Sequence, residues 1–382
     1  MRVCKKCLNT CDHPFGLSFN SENLCLGCIT NLETRNFDVS KLAELCARIK
    51  ASGKQCNYDC IIPIRGDADD YHVVSILLKY KLRPLLVGVN SYFFNDIGWT
   101  NLQNLQTHFD LDMEFLHPNM QKYKDLVRYS FAKYDDIYIP FQFLFHSFVK
   151  VVALRRDVKY IIYGENQPTE QTGNFSNFDY PEKSQWFHEN FDFRNFTLND
   201  FLGTGSNWGE SDLGMYRYPD HKKNYPRGVF LSNYIRWDSI SINDKMRQFG
   251  FIAQKQSRTY DCFHRAGFSH YYEIHDFLRH KKHGYIKVRD HLCRDIRMGH
   301  ISREEALDLY DYYLGLPYNF ESFFNWLGVE TIGQEWLFSH KIKASPMQYP
   351  TAPARNRFLE HLYKGSEPVQ SYLSFYKGVY ID

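Results

Sequence analysis

Cys4 and Cys7 form one CxxC pair and Cys25 and Cys28 a second, with residues 8–24 between them. Thiolates two residues apart grip one metal from a tight turn, and two such turns complete a tetrahedral zinc centre. The separation fits four-cysteine zinc sites, and Gly27 suits the sharp turn of the second pair. A redox CxxC sits beside a βαβ pattern, and none surrounds residues 1–30. A complete shell of thiolates leaves no open position, so this metal is expected to be structural. Cys11 is left over; Cys46, Cys56 and Cys60 are expected as buried thiols.

Three further groups could do chemistry. The run Arg65-Gly66-Asp67-Ala68-Asp69-Asp70 joins a glycine that permits close backbone approach to three carboxylates that could hold Mg²⁺. Gly164-Glu165-Asn166-Gln167 offers a carboxylate and an amide to sugar hydroxyls, although a turn with a helix cap is the blander reading. Asp290, His291, Arg294, Asp295 and Arg297, with Lys287 nearby, suit a nucleotide-sugar pyrophosphate through bidentate contacts. Asp290 and Arg294 could pair at i, i+4, and a solvated salt-bridged helix is the commoner outcome for such a run. His275, His280 and His283 lack a helical i, i+4 pair and are expected on exposed surface.

Elements must hold these groups in place. Cys60–Ile64, Pro84–Val89, Met113–Leu116 and Val158–Tyr163 read as buried strands. Helical periodicity marks Leu42–Ile49, His72–Tyr80, Trp99–Phe109, Gln121–Tyr134 and Phe141–Arg155 between them. Strands alternating with helices predict a parallel α/β sheet covered on both faces. Such sheets bind ligands beyond their carboxyl ends, which directs attention to Arg65–Asp70, Asn90–Phe94 and Gly164–Gln167. Residues 174–225 read as loops and short helices and 230–340 as mainly helical, with a capping box at Ser302 and Glu305. The expected division is a zinc-binding segment 1–35, an α/β domain 36–200, a mainly helical domain 201–344, and a linker with a terminal piece 345–382.

Composition sets the outer limits. The 382 residues are 43% hydrophobic and 24% charged with a net charge of +2, which offers no basic stripe for nucleic acid. The longest apolar stretch, Tyr138–Leu154, is broken by Gln142, His146 and Lys150, whereas a membrane span needs about 20 mostly apolar residues. Ten cysteines behind an N-terminus without an apolar signal core point to a reducing cytoplasm.

Taken in order, these pieces resemble the N-acetyl sugar amidotransferases of the PP-loop ATP-pyrophosphatase superfamily. The resemblance runs from the cysteine pairs through Pro63–His72, Pro84-Leu-Leu-Val, Phe93-Phe94, Asn101-Leu102 and Ile161-Ile-Tyr-Gly-Glu-Asn. It continues through Asp290-His291, Arg294–Gly299 and Arg303-Glu-Glu-Ala. It implies a five-stranded parallel adenine-nucleotide hydrolase-like sheet and a role in surface-glycan synthesis, for lipopolysaccharide O-antigen or a related glycan. The implied reaction activates an acetamido group of a nucleotide-linked sugar with ATP and displaces AMP by ammonia from a separate glutaminase chain. Asp69 and Glu165 are then the implied catalytic acids, and Arg65, Gly66, Asp67, Asp70 and Asn90 the nucleotide site. Asn166, Glu170, Lys287, Asp290, His291, Arg294 and Arg297 are the implied substrate contacts.

The loop departs from the family's Ser-Gly-Gly-x-Asp-Ser. Only Gly66 and Asp69 match, and Asp67 and Asp70 add negative charge where pyrophosphate would sit. At 4 Å and an effective dielectric near 20, each like-charge contact costs roughly 4 kcal/mol. Three readings stay open. The acids hold Mg²⁺ that bridges to phosphate; the loop has lost ATP and the chain binds a nucleotide sugar or scaffolds the glutaminase; or the loop takes a cation or sugar hydroxyls.

Overall fold

A computed structural model describes residues 2–14, 16–202, 208–219, 225–340 and 342. The terminal piece expected over 345–382 lies outside the described residues. The centre is one parallel sheet of β1 (Cys60–Ile64), β2 (Pro84–Val89), β3 (Met113–Leu116), β4 (Tyr160–Tyr163) and β5 (Arg227–Phe230), in the order β3-β2-β1-β4-β5. Every residue of β1 and β2 is buried, as strands covered on both faces require.

Helices α1 (Leu26–Glu33) and α2 (Val39–Ser52) precede the sheet. Connecting the strands are α3 (Ala68–Lys79), α4 (Asp96–Phe109), α5 (Met120–Tyr134) and α6 (Ile139–Arg155). After β4 come α7 (Gln167–Thr172) and a single turn, α8 (Gln185–Phe187), which runs into a π-turn over His188–Asp192. The remainder is α9 (Ser239–Lys245), α10 (Ser269–His283), α11 (Val288–Met298), α12 (Arg303–Gly315), α13 (Glu321–Leu327) and α14 (Glu330–Ser339).

Helix starts differ from the periodicity. α3 begins at Ala68, not His72, because Asp67 is its N-cap and Asp70 completes a capping box; Asp69 and Asp70 therefore stand in its first turn. α4 begins at Asp96, not Trp99, because the Asn95 side chain accepts from Gly98 N at 2.8 Å. β5, in a stretch read as loops running into helices, pairs with β4 from Tyr160↔Arg227 to Tyr163↔Phe230.

The core is continuous from Leu42 through the sheet to Leu337. A second cluster packs the cysteine segment against Val288, Leu292 and Ile296 of α11 and Ala306 of α12. The N-terminal cysteines and the Asp290–Arg297 run, far apart in sequence, thus share one small core. Cys46 and Cys60 are buried thiols as expected, whereas Cys56 is only half-buried.

Candidate functional site

All five strands point their carboxyl ends the same way, and the strand order reverses direction between β1 and β4. That reversal is where ligand crevices open in sheets of this kind. The register of β1 with β4 rests on Ile61↔Ile161, and Pro63, two residues on, has no N–H for a ladder. A cavity of about 270 Å³ opens there. Its wall includes Pro63, Arg65, Asp69, Asp70, Gly164 and Glu165 from the two strand ends, and Lys287 and Asp290 from the start of α11. A smaller cleft of about 20 Å³ shares Glu165, Lys287 and Asp290 with it and adds Glu170, His291, Arg294 and Arg297.

The β1–α3 loop is folded around its own acid. Gly66 takes φ +75°, and a Cβ there would come within 3.0 Å of Leu102 Cγ. The Asp70 carboxylate accepts from Arg65 N at 2.6 Å and from Asp67 N at 3.1 Å. These backbone N–H groups are the donors a phosphate loop turns on its ligand. Arg65 Nε lies 3.8 Å from Asp67 Oδ2, and its Nη1 donates to Tyr138 Oη at 3.4 Å. Burial, then the charge of Asp67, pushes Asp70 up to about 7.

Asp69 and Glu165 face the cavity from neighbouring strand ends. Burial raises both; the Glu165 charge drives Asp69 further, well above the carboxylate range. Asp69 Oδ1 is buried without a hydrogen-bond partner. A carboxyl held protonated in this way can donate a hydrogen bond to a substrate oxygen.

Asn166 is fully buried and acts as a cap: its N donates to Ser232 Oγ at 2.9 Å and its Oδ1 accepts from Thr169 N at 3.4 Å. Its Nδ2 has no partner. Glu170, in the smaller cleft, is pushed up to about 8 by burial and by the Glu165 charge, and its Oε1 is unpartnered. Asn90 is tied at the end of β2 to Tyr92 N at 2.8 Å and His117 Nδ1 at 3.2 Å and is not in the cavity wall.

The Asp290–Arg297 run is not a solvated face: Asp290, His291, Asp295 and Arg297 are 7%, 3%, 2% and 5% exposed. Nor do Asp290 and Arg294 pair. Asp290 lies 3.2 Å from Lys287 Nζ and 3.4 Å from His13 Nε2, while Arg294 reaches Asp261 at 3.1 Å and Asp295 at 3.0 Å. Packing against the cysteine segment turned this helix inward and exchanged the partners. His275 and His283 were expected on the surface; they are half-buried and line the cavity.

The cysteines converge. Cys4 and Cys28 Sγ are 3.8 Å apart, Cys7 and Cys25 Sγ 3.6 Å, and all four sulfurs lie within 4.8 Å of one another. A disulfide needs about 2.05 Å, whereas the edge of a tetrahedron with Zn–S bonds of about 2.3 Å is about 3.8 Å. The donor set and spacing fit zinc. Arg297 packs its guanidinium on this cluster, 3.4 Å from Cys28 Sγ and 3.6 Å from Cys25 Sγ, and donates to the α7 carbonyls of Glu170 at 2.6 Å and Gln171 at 3.0 Å.

Other cavity residues carried no linear signal. Lys183, Arg194 and Arg265 bring cations. Arg265 sits at φ +53°, a backbone conformation uncommon outside glycine, with its guanidinium over Tyr138 and Tyr271 at 5.1 and 5.3 Å. His146 and Asp192 lie on the same wall.

Residues 257–354 match a family described as LPS biosynthesis protein WbpG-like, C-terminal domain. Arg265, Lys287 and the whole Asp290–Arg297 run fall inside that match. The chain is also similar to an uncharacterized protein of Methanocaldococcus jannaschii, 27% identical over 127 residues, which are 32% of this chain and 44% of that protein. The chain therefore spans less than half the length of this relative. The family match supports a link to surface-polysaccharide biosynthesis.

Proposed function

We propose that the chain is an amidotransferase-like protein of surface-polysaccharide biosynthesis whose cavity holds a nucleotide-linked acetamido sugar. The observation that carries this reading is the composition of the cavity. Two buried lysines (Lys183, Lys287) and two half-buried arginines (Arg65, Arg265) surround two acids whose carboxyls burial raises, Asp69 and Glu165. Guanidinium and ammonium groups suit a pyrophosphate, and a protonated carboxyl suits an acetamido carbonyl oxygen. The similarity of residues 257–354 to a lipopolysaccharide biosynthesis family supports the same substrate class.

In the reaction, ammonia adds to the acetamido carbon and the carbonyl oxygen departs on AMP. The acetamide becomes an acetamidine, and ATP becomes AMP and pyrophosphate. Ammonia would come from a separate glutaminase, and Mg²⁺ held by the loop acids would accompany ATP. Incubating the chain with ATP–Mg²⁺, isotopically labelled ammonium and UDP- or CMP-linked acetamido sugars tests this. Label in the sugar with AMP release is expected, and neither product forming with any of these sugars would contradict it.

A second reading is favoured by Asp70, which already occupies the donors of Arg65 N and Asp67 N. In it the chain binds the nucleotide sugar without turning over ATP, or scaffolds the glutaminase. Sugar binding with no AMP release is its signature.

A further inference from the structure

We propose that His146, His188 and Asp192 form a second metal site, for a divalent transition ion such as Zn²⁺, on the cavity wall. His146 stands on α6; His188 and Asp192 stand at the two ends of the π-turn. One ring nitrogen from each histidine and one carboxylate oxygen lie within 4.8 Å of one another. His188 Nδ1 is 2.7 Å from Asp192 Oδ2, His146 Nε2 is 3.5 Å from Asp192 Oδ1, and the two ring centroids are 4.4 Å apart. Donor atoms around a tetrahedral zinc with bonds of about 2.0–2.1 Å sit roughly 3.3 Å apart. Opening the His188–Asp192 contact by less than about 1 Å makes room for the ion.

The chemistry of the set agrees. Zinc takes neutral imidazole, and burial drives His146 down to about 4 and His188 well below the usual histidine range. Without an ion, one carboxylate serves both rings and Lys183 Nζ at 3.1 Å. His146 Nδ1 and His188 Nε2 have no hydrogen-bond partner, although these residues are only 4% and 0% exposed. Two neutral rings thus point nitrogen at one half-buried carboxylate. An ion bound there would take the ring lone pairs facing Asp192, with each ring proton on the other nitrogen, His146 Nδ1 and His188 Nε2, so both imidazoles stay neutral. Lys183 would then hold the carboxylate from outside the coordination shell, as outer partners of metal ligands do. Three protein ligands leave a fourth position open. His146 and Asp192 line the cavity, so that position faces inward, toward water or an oxygen of the bound ligand. The site does not depend on the amidotransferase reading.

The metal content of the purified full-length chain, dialysed against zinc at low concentration, tests the proposal. Two zinc ions per chain are expected. His146→Gln and Asp192→Asn should each bring the count to one, while Cys25→Ser should remove the other ion. X-ray absorption on the wild-type chain needs no variant, and should show a mixture of sulfur-only and nitrogen/oxygen-only zinc. One zinc per chain with a pure sulfur shell would overturn the proposal, as would a second ion retained in both the His146→Gln and Asp192→Asn chains.

Discussion

Asp70 does in this loop what a phosphate does in a glycine-rich one: it takes the backbone N–H groups of Arg65 and Asp67. An incoming polyanion must displace it, or arrive with Mg²⁺, and must also tolerate Asp67. Asp67→Gly combined with Asp70→Ser should therefore tighten pyrophosphate or ATP binding by at least roughly tenfold, since each close like-charge contact costs roughly 4 kcal/mol before screening. Arg65→Ser should weaken it. Calorimetric titration checks both, and tight metal-free ATP binding by the wild type would sink the charge argument. Glu170 gives a pH test. Its folded carboxyl is raised to about 8 from an ordinary 4.5, so the folded state holds this proton more tightly than the unfolded chain. Its contribution is fully present below about pH 4.5 and is lost as pH rises toward about 8. Glu170→Gln should melt close to wild type at pH 4.5 and above it at pH 8. Equal melting differences at both pH values would show that Glu170 ionises freely.

Among the elements, the cysteine segment and α7 act as one brace. Arg297 spans them, with sulfur on one side and the carbonyls of Glu170 and Gln171 on the other. Gly173, at φ +66° closing α7, has no room for a Cβ beside Leu26. Removing zinc should therefore loosen α7 and the Glu165 strand end as well as the knuckles. Hydrogen exchange over residues 164–173 should rise on chelation or in Cys25→Ser; faster exchange confined to residues 2–33 would show that the brace is not coupled. Arg297→Met should lower zinc affinity by roughly 10–100-fold, the usual cost of losing an outer partner of a metal ligand, as competition with a chelator will show.

The elements also show what the sequence could reveal. β1, β2 and β4 were legible because strands buried on both faces read as apolar runs, and β3, a half-buried edge strand, because its apolar residues stand between two periodic helices. β5 was not: Arg227-Gly-Val-Phe has two apolar residues, and it is a strand because β4 offers it an open edge. The knuckle spacing located the cysteine cluster. The cations from Lys183 to Arg265 lie in loops without periodicity, so topology alone gathers them.

Across the whole molecule, groups distant in sequence meet at the β1–β4 reversal: the loop acids, Glu165, Lys183, Arg265 and the inward-turned α11. The central claim is that this cavity takes a nucleotide-linked acetamido sugar. The most direct measurement is calorimetric titration of the full chain with UDP- and CMP-linked acetamido sugars, repeated on Arg265→Gln and Lys183→Met. One site per chain is predicted for one of these sugars, weakened roughly tenfold or more in each variant by the loss of a charge-assisted contact. Failure of every such sugar to bind, or binding that both variants leave unchanged, would contradict the claim.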